Sequence, residues 1–180
     1  MRISAVLYFG CFAALSQLPA SADEPSVERG LYVSIVGGCH DCHTEGYSES
    51  GGAIDPEKAL KGSTVGRQGP WGTSYPGNLR RDVANLSEDG FIRMVKSVEL
   101  KPPMPWYNVR RMTEDDLRSL YRYVQSLGEP GDNVPQFVAP GDRVNTPFIV
   151  LVPPQMPPPA PAIWIARSAN SAARRNRGAA

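Results

Sequence analysis

The sequence predicts a mostly α-helical domain, with three main helices joined by long loops. Apolar residues recur at helical spacing in three separate stretches, each opened by a Ser or Thr able to cap a helix. Glycine and proline are abundant, 17 and 18 of 180 residues, and they gather between those stretches. They mark turns and loops. Residues 44–86 are rich in Gly, Ser and Pro and show no sustained period. A loop of that length in a compact domain is expected to wrap around something.

The N-terminus stands apart from this domain. Arg2 supplies a positive charge, residues 3–18 are mainly apolar, and Ala20-Ser21-Ala22 gives a small-x-small cleavage pattern. Residues 1–22 therefore read as a cleaved secretory signal. The alternative, a retained anchor, is disfavoured because the apolar run is short for a bilayer span. Cys11 is expected to leave with the signal, and no other stretch could span a membrane.

The first predicted helix covers about 27–36, capped by Ser26 and ended by Gly37-Gly38, with Leu31 and Ile35 on one face. Cys39-His40-Asp41-Cys42-His43 follows at once. Ser87 opens a second helix over about 88–98, with Phe91, Met94, Val95 and Val98 on one side. Residues 101–107 form a proline-bound loop. Thr113 opens a third helix with Glu114, Asp115 and Asp116 in its first turn, where the helix dipole favours acids. Leu117, Leu120, Tyr121, Val124 and Leu127 form its apolar stripe, and Gly128 ends it.

Beyond residue 131 the character changes. Residues 147–152 hold a short apolar run that reads as a strand or an extended cover. Residues 153–162 contain six prolines, and 163–180 are rich in Ala and Arg. Polyproline conformation followed by a disordered end is expected there. The organisation is thus a signal at 1–22, a domain at 23–152 with its core at about 26–128, and a tail at 153–180.

Charge narrows the partners. The chain carries 19 Lys and Arg against 18 Asp and Glu, and Arg167, Arg174, Arg175 and Arg177 lie beyond residue 160, where there are no acids. A mildly acidic body with a basic tail does not resemble a nucleic-acid binder. The tail is either without a role or an electrostatic tether to an acidic partner or membrane surface, with Trp164 as an apolar anchor.

Cys39-x-x-Cys42-His43 is the attachment pattern for one c-type haem. Two thiols three positions apart reach the two vinyl groups on one porphyrin edge, and the next residue lies under the ring with an imidazole to offer iron. Three other readings use the same residues. A thioredoxin-like dithiol would follow a strand in a βαβ unit, which these flanks do not suggest. A zinc site needs two further ligands, and His40 is the only other histidine. A plain disulfide would leave the long loop with nothing to wrap. His40 itself reads as an exposed linker residue rather than a ligand.

The order helix, Cys-x-x-Cys-His, long Gly/Pro loop, short helix, Pro-Met-Pro loop and final aromatic-bearing helix resembles class I cytochromes c. Three further runs look like the cytochrome c subunits of periplasmic alcohol and sugar dehydrogenases. They are Gly69-Pro70-Trp71-Gly72-Thr73-Ser74-Tyr75 with Asn78, then Pro103-Met104-Pro105-Trp106-Tyr107, then Thr113-Glu114-Asp115-Asp116-Leu117. The likeness covers about residues 26–128, with a weaker echo at Thr146-Pro147-Phe148.

The resemblance implies thioethers from Cys39 and Cys42, His43 as proximal iron ligand and a methionine as the distal one. Met94, Met104, Met112 and Met156 are available. Met94 and Met112 read as packing residues, and Met156 lies in the polyproline tail. Met104 lies in Pro102-Pro103-Met104-Pro105, where three prolines limit the backbone freedom lost on holding a thioether at the iron. Pro70, Trp71, Tyr75, Asn78, Trp106 and Tyr107 would line the haem pocket.

The resemblance also implies a first helix crossing the last, with Gly30 or Tyr32 against Tyr121. It implies a carbonyl that accepts the His43 N–H, from Pro70 or from Pro56. With both axial positions filled, a periplasmic electron carrier is expected rather than an enzyme. Its redox partners would be a periplasmic dehydrogenase, a terminal oxidase or both. Such dehydrogenase subunits often carry two or three haem motifs, and this chain has one, which favours a single-haem carrier or module. The remaining readings are an obligate dehydrogenase subunit, and a haem enzyme or sensor with a displaceable methionine.

Overall fold

The computed structural model describes residues 24–157. The expected signal at 1–22 and the tail from 158 onward, including Trp164 and the four terminal arginines, lie outside the described residues.

Three helices of ten or more residues form where the sequence predicts them. They are α1 (Val27–Val36), a helix at Glu88–Ser97 and a helix at Glu114–Ser126. Each begins at its expected cap. Ser26 Oγ accepts from Arg29 N at 3.1 Å, Ser87 Oγ from Gly90 N at 3.2 Å and Thr113 Oγ1 from Asp116 N at 3.1 Å. Such caps each contribute about 1 kcal/mol by satisfying an otherwise orphaned helix N–H. Gly128 adopts φ +80 just beyond the last helix, the left-handed stop expected of it.

Three shorter helices complete the set, so the order is α2 (Cys39–His43), α3 (Leu79–Ala84), α4 (Glu88–Ser97), α5 (Trp106–Val109) and α6 (Glu114–Ser126) after α1. The core gathers Leu60, Val83, Phe91, Ile92, Val95, Leu117, Leu120 and Val124, all buried. In α4 the buried face is Phe91, Ile92 and Val95, while Met94 packs at its margin.

The crossing of α1 and α6 is close. A Cβ placed on Gly30 would lie 2.0 Å from the Ser119 carbonyl oxygen and 2.6 Å from Tyr123 Cβ. The expected partner Tyr121 is therefore corrected to Ser119 and Tyr123. The reason is helical spacing: positions 119 and 123 share a face, whereas 121 points away. Tyr121 instead packs on Phe91, ring centroids 5.8 Å apart, and donates to Leu86 O at 2.9 Å. Tyr32 is 54% exposed, beneath the Arg29 guanidinium.

The region 44–86, expected as a loop without regular elements, contains α3 and a hairpin of β1 (Gly66–Gly69) and β2 (Gly72–Ser74). The strand β3 (Phe148–Val150) joins β1 in parallel, with Arg67 opposite Ile149, giving the order β2-β1-β3. The far edge of β2 is met by Val138, which exchanges hydrogen bonds with Thr73.

Residues 129–151 therefore belong to the fold rather than merely covering it. Asn78 Nδ2 donates to Pro130 O and Asp132 O, the Tyr75 hydroxyl meets Thr146 Oγ1 at 2.6 Å, and Leu151 N donates to Gln68 O at 2.7 Å. No helix among the described residues is long and apolar enough to cross a membrane.

Candidate functional site: the Cys-x-x-Cys-His turn

The chain leaves α1 through Gly37 and Gly38, the latter at φ +69, and turns directly into α2. One helical turn thus presents Cys39, Cys42 and His43. The two thiols are free and not bonded to each other. Burial pushes the Cys39 thiol up to about 11, so it is a neutral thiol near pH 7. Cys39 packs beside the core, and Met112 lies near Gly37 at the same end, in keeping with a packing role.

His43 is buried, and its Nδ1 lies 2.7 Å from the Gly77 carbonyl oxygen. A carbonyl can only accept, so Nδ1 carries the proton and Nε2 keeps its lone pair. That is the tautomer a metal-ligating histidine requires, held by the kind of backbone partner that orients such ligands. The accepting carbonyl is Gly77's, which corrects the expectation of Pro70 or Pro56. Pro70 is exposed at the hairpin tip, and the Pro56 carbonyl is taken by the Arg80 guanidinium.

Gly62 makes this approach feasible. It adopts φ +84, and a Cβ there would lie 2.6 Å from Pro76 O and 2.9 Å from Gly77 O. Its own N–H donates to His43 O at 2.8 Å.

His40 is the largest departure from the sequence reading. It is fully buried, not an exposed linker. Its Nε2 lies 3.1 Å from Ser34 Oγ and its Nδ1 2.7 Å from Thr44 Oγ1, with the Tyr47 and Tyr123 rings on its flanks. Burial holds its pKa below the ordinary imidazole range.

Met104 is partly buried in the turn before α5. Its N–H donates to Lys101 O at 3.3 Å, and its carbonyl accepts from Trp106 N at 2.9 Å. Two contacts anchor this loop to the hairpin side. Ser74 Oγ donates to Pro102 O at 2.5 Å, and the Lys101 ammonium lies 4.4 Å over the Phe137 ring. Trp106 packs edge-on to Tyr107 and beneath the Arg110 guanidinium, while Tyr107 is 54% exposed.

The other expected pocket residues fall into two groups. Asn78 spends its whole amide on protein, capping α3 at Arg81 N and clamping residues 130 and 132, and Tyr75 bonds Thr146. Trp71 differs, because its indole Nε1 is buried without a hydrogen-bond partner in the protein. A buried donor without an acceptor is rare and costly.

Sequence reasoning missed Arg80. It is 4% exposed, and its guanidinium donates to the carbonyls of Ala59, Pro56, Leu127 and Glu129. It pins the segment after the Cys-x-x-Cys-His turn to the end of α6. Among the described residues, no group of three or more His, Cys, Asp or Glu is placed to hold a metal ion.

Comparison with known proteins supports a cytochrome c-type domain. The chain is 29% identical over 140 residues to the fructose dehydrogenase cytochrome subunit of Gluconobacter japonicus, covering 72% of this chain and 26% of that protein. It is 31% identical over 122 residues to the cytochrome c subunit of a quinone alcohol dehydrogenase from Gluconacetobacter polyoxogenes, covering 61% of this chain and 23% of that one. The corresponding subunit from Gluconobacter oxydans is 26% identical over 112 residues, covering 57% of this chain and 21% of that one. No protein-family model and no solved structure gives a significant match. The chain spans about a quarter of the length of the curated relatives it matches.

Proposed function

We propose that this chain is an exported, single-haem c-type cytochrome domain that passes single electrons between periplasmic redox proteins and is not itself a catalyst. Cys39 and Cys42 would hold the haem through thioethers, and His43 and Met104 would be its axial ligands. When bound, the haem supplies reversible one-electron exchange at its iron, and a thioether ligand favours the ferrous state.

The observation that carries this reading is the His43–Gly77 hydrogen bond beside two unpaired thiols. It fixes the proton on Nδ1 and leaves Nε2 basic, as an iron ligand must be. The other residues keep the site in shape. Gly62 admits the Gly77 carbonyl, and Ser74 and Lys101 tie the Met104 loop to the hairpin side. The unpartnered Trp71 indole N–H fits an anionic acceptor such as a haem propionate.

The reading of a periplasmic dehydrogenase as electron donor is supported by the relatives' names as dehydrogenase cytochrome subunits. Co-purification with a dehydrogenase at high salt would mark an obligate subunit; isolation alone would mark a free carrier.

The test is Met104→Ala. The oxidised wild-type protein should show the weak near-infrared sulfur-to-iron charge-transfer band, and the variant should lose it together with a large drop in reduction potential. Met94→Ala and Met112→Ala should keep the band. Its loss in Met112→Ala, with retention in Met104→Ala, would assign the ligand wrongly here and reopen the site.

A further inference from the structure

We propose that His40, between the two cysteines, is a positioning residue that sets the hydrogen bond of the axial imidazole of His43. This rests on His43 being an iron ligand, as proposed above. Hydroxyl bookkeeping fixes the proton positions around His40. Ser34 Oγ donates its one proton to Leu31 O at 2.7 Å, so it accepts from His40 Nε2–H. With Nε2 protonated, the neutral ring leaves Nδ1 as an acceptor, and Thr44 Oγ1 must donate to it. The same Thr44 oxygen accepts from Leu60 N at 2.9 Å. Tyr123 Oη, 3.5 Å from Nε2, is then a second, longer acceptor for the same N–H.

The set leads to His43 by a continuous path. Thr44 is the residue after His43. Leu60, held by Thr44, accepts from Leu79 N at 3.0 Å through its own carbonyl. Leu79 lies two residues beyond Gly77, whose carbonyl takes the His43 proton. Gly62, two residues beyond Leu60, donates to His43 O and abuts Gly77. His40 thus ties α1 to both chain segments that determine where the Gly77 carbonyl sits. A firmer Nδ1–H···O=C bond makes the imidazole a stronger donor and favours ferric iron. Loosening it should raise the potential.

Two substitutions separate the two ends of the ring. Asn places an acceptor where Nδ1 was and keeps the Thr44 link. Gln places a donor where Nε2 was and keeps the Ser34 link. In the haem-loaded protein, His40→Ala and Thr44→Val should raise the reduction potential. They should also speed solvent exchange of the His43 Nδ1–H, read by NMR, by about tenfold, as expected for losing one hydrogen bond. His40→Asn should restore both values and His40→Gln should not. Should His40→Ala fail to fold, the Asn, Gln and Thr44→Val proteins carry the same comparison. Unchanged potential and exchange in His40→Ala or Thr44→Val, or identical values for Asn and Gln, would overturn the relay while leaving the electron-transfer reading intact. A wild-type protein without haem would instead remove that reading, and the relay with it.

Discussion

Where α1 crosses α6, backbone meets backbone over a largely apolar contact, with Ser26 N donating to Ser119 Oγ at 3.2 Å and Arg29 Nε to Asp116 at 2.8 Å beside it. Gly30 lies against the Ser119 carbonyl, and Leu117, Leu120 and Val124 are buried beside it. Burying each such side chain contributes about 2 kcal/mol, and none of it depends on direction. On the opposite side, where residues 44–86 meet residues 127–151, the contacts run from buried polar side chains to main-chain carbonyls. Arg80 serves four carbonyls and Asn78 two, while nearer α1 the buried pair His40 and Thr44 links Ser34 to Leu60. The difference matters because His43 stands between the two sides. Its helix is fixed by the apolar half, and the carbonyl that sets its tautomer by the polar half.

Replacing Arg80 should break the polar half most severely. Arg80→Ala would leave four carbonyls without their donor, and unfolding in denaturant should show a loss of about 4 kcal/mol. Arg80→Lys should recover only a minor part, because one ammonium cannot reproduce a planar fork of donors. A near-neutral Arg80→Ala would mean that apolar packing holds both sides alike.

Gly30→Ala is the counterpart in the apolar half. The added methyl must displace a backbone carbonyl, and a loss of about 3 kcal/mol is expected from overpacking. Because the clash is with the α6 main chain, shortening Tyr123 should not relieve it.

The protonation of His40 sharpens the comparison with a smaller effect. Burial holds its folded pKa below the ordinary value of about 6.5. The unfolded chain then binds a proton at pH values where the fold does not. Stability should therefore fall as the pH drops from about 6.5 towards the folded value, and should not depend on His40 above about 6.5. His40→Asn should flatten that part of the stability–pH curve. An equal slope in both proteins would place the titration elsewhere.

The smallest effect belongs to the most local contact. Thr113→Ala removes the cap of α6 and should cost about 1 kcal/mol without altering the haem spectrum.

Legibility in the sequence divides along the same line. Ser26, Ser87 and Thr113 announce their helices because capping is local, needing only a hydroxyl three residues before an N–H. The Cys-x-x-Cys-His turn is legible for the same reason. The β1–β2 hairpin is not, and the apolar run at 147–152 announces β3 but not its partner. Gly66-Arg67-Gln68-Gly69 has no alternating pattern, and its partner Phe148–Val150 lies far along the chain. Arg80 gives no local sign, since its acceptors come from residues 56–59 and 127–129. For His40 a sign existed: Thr44 follows it by four residues, one helical turn away. Tyr121 misleads because its ring suggests a crossing contact, whereas its face of α6 turns to Phe91 and Leu86.

The central claim is covalent haem at Cys39 and Cys42, and intact mass with haem staining after denaturing electrophoresis tests it most directly. Protein matured in a host with cytochrome c assembly should carry the mass of one haem beyond its polypeptide and keep the stain. Substituting both cysteines by Ala should abolish both signals. A wild-type chain of bare polypeptide mass and no stain from such a host would contradict the account.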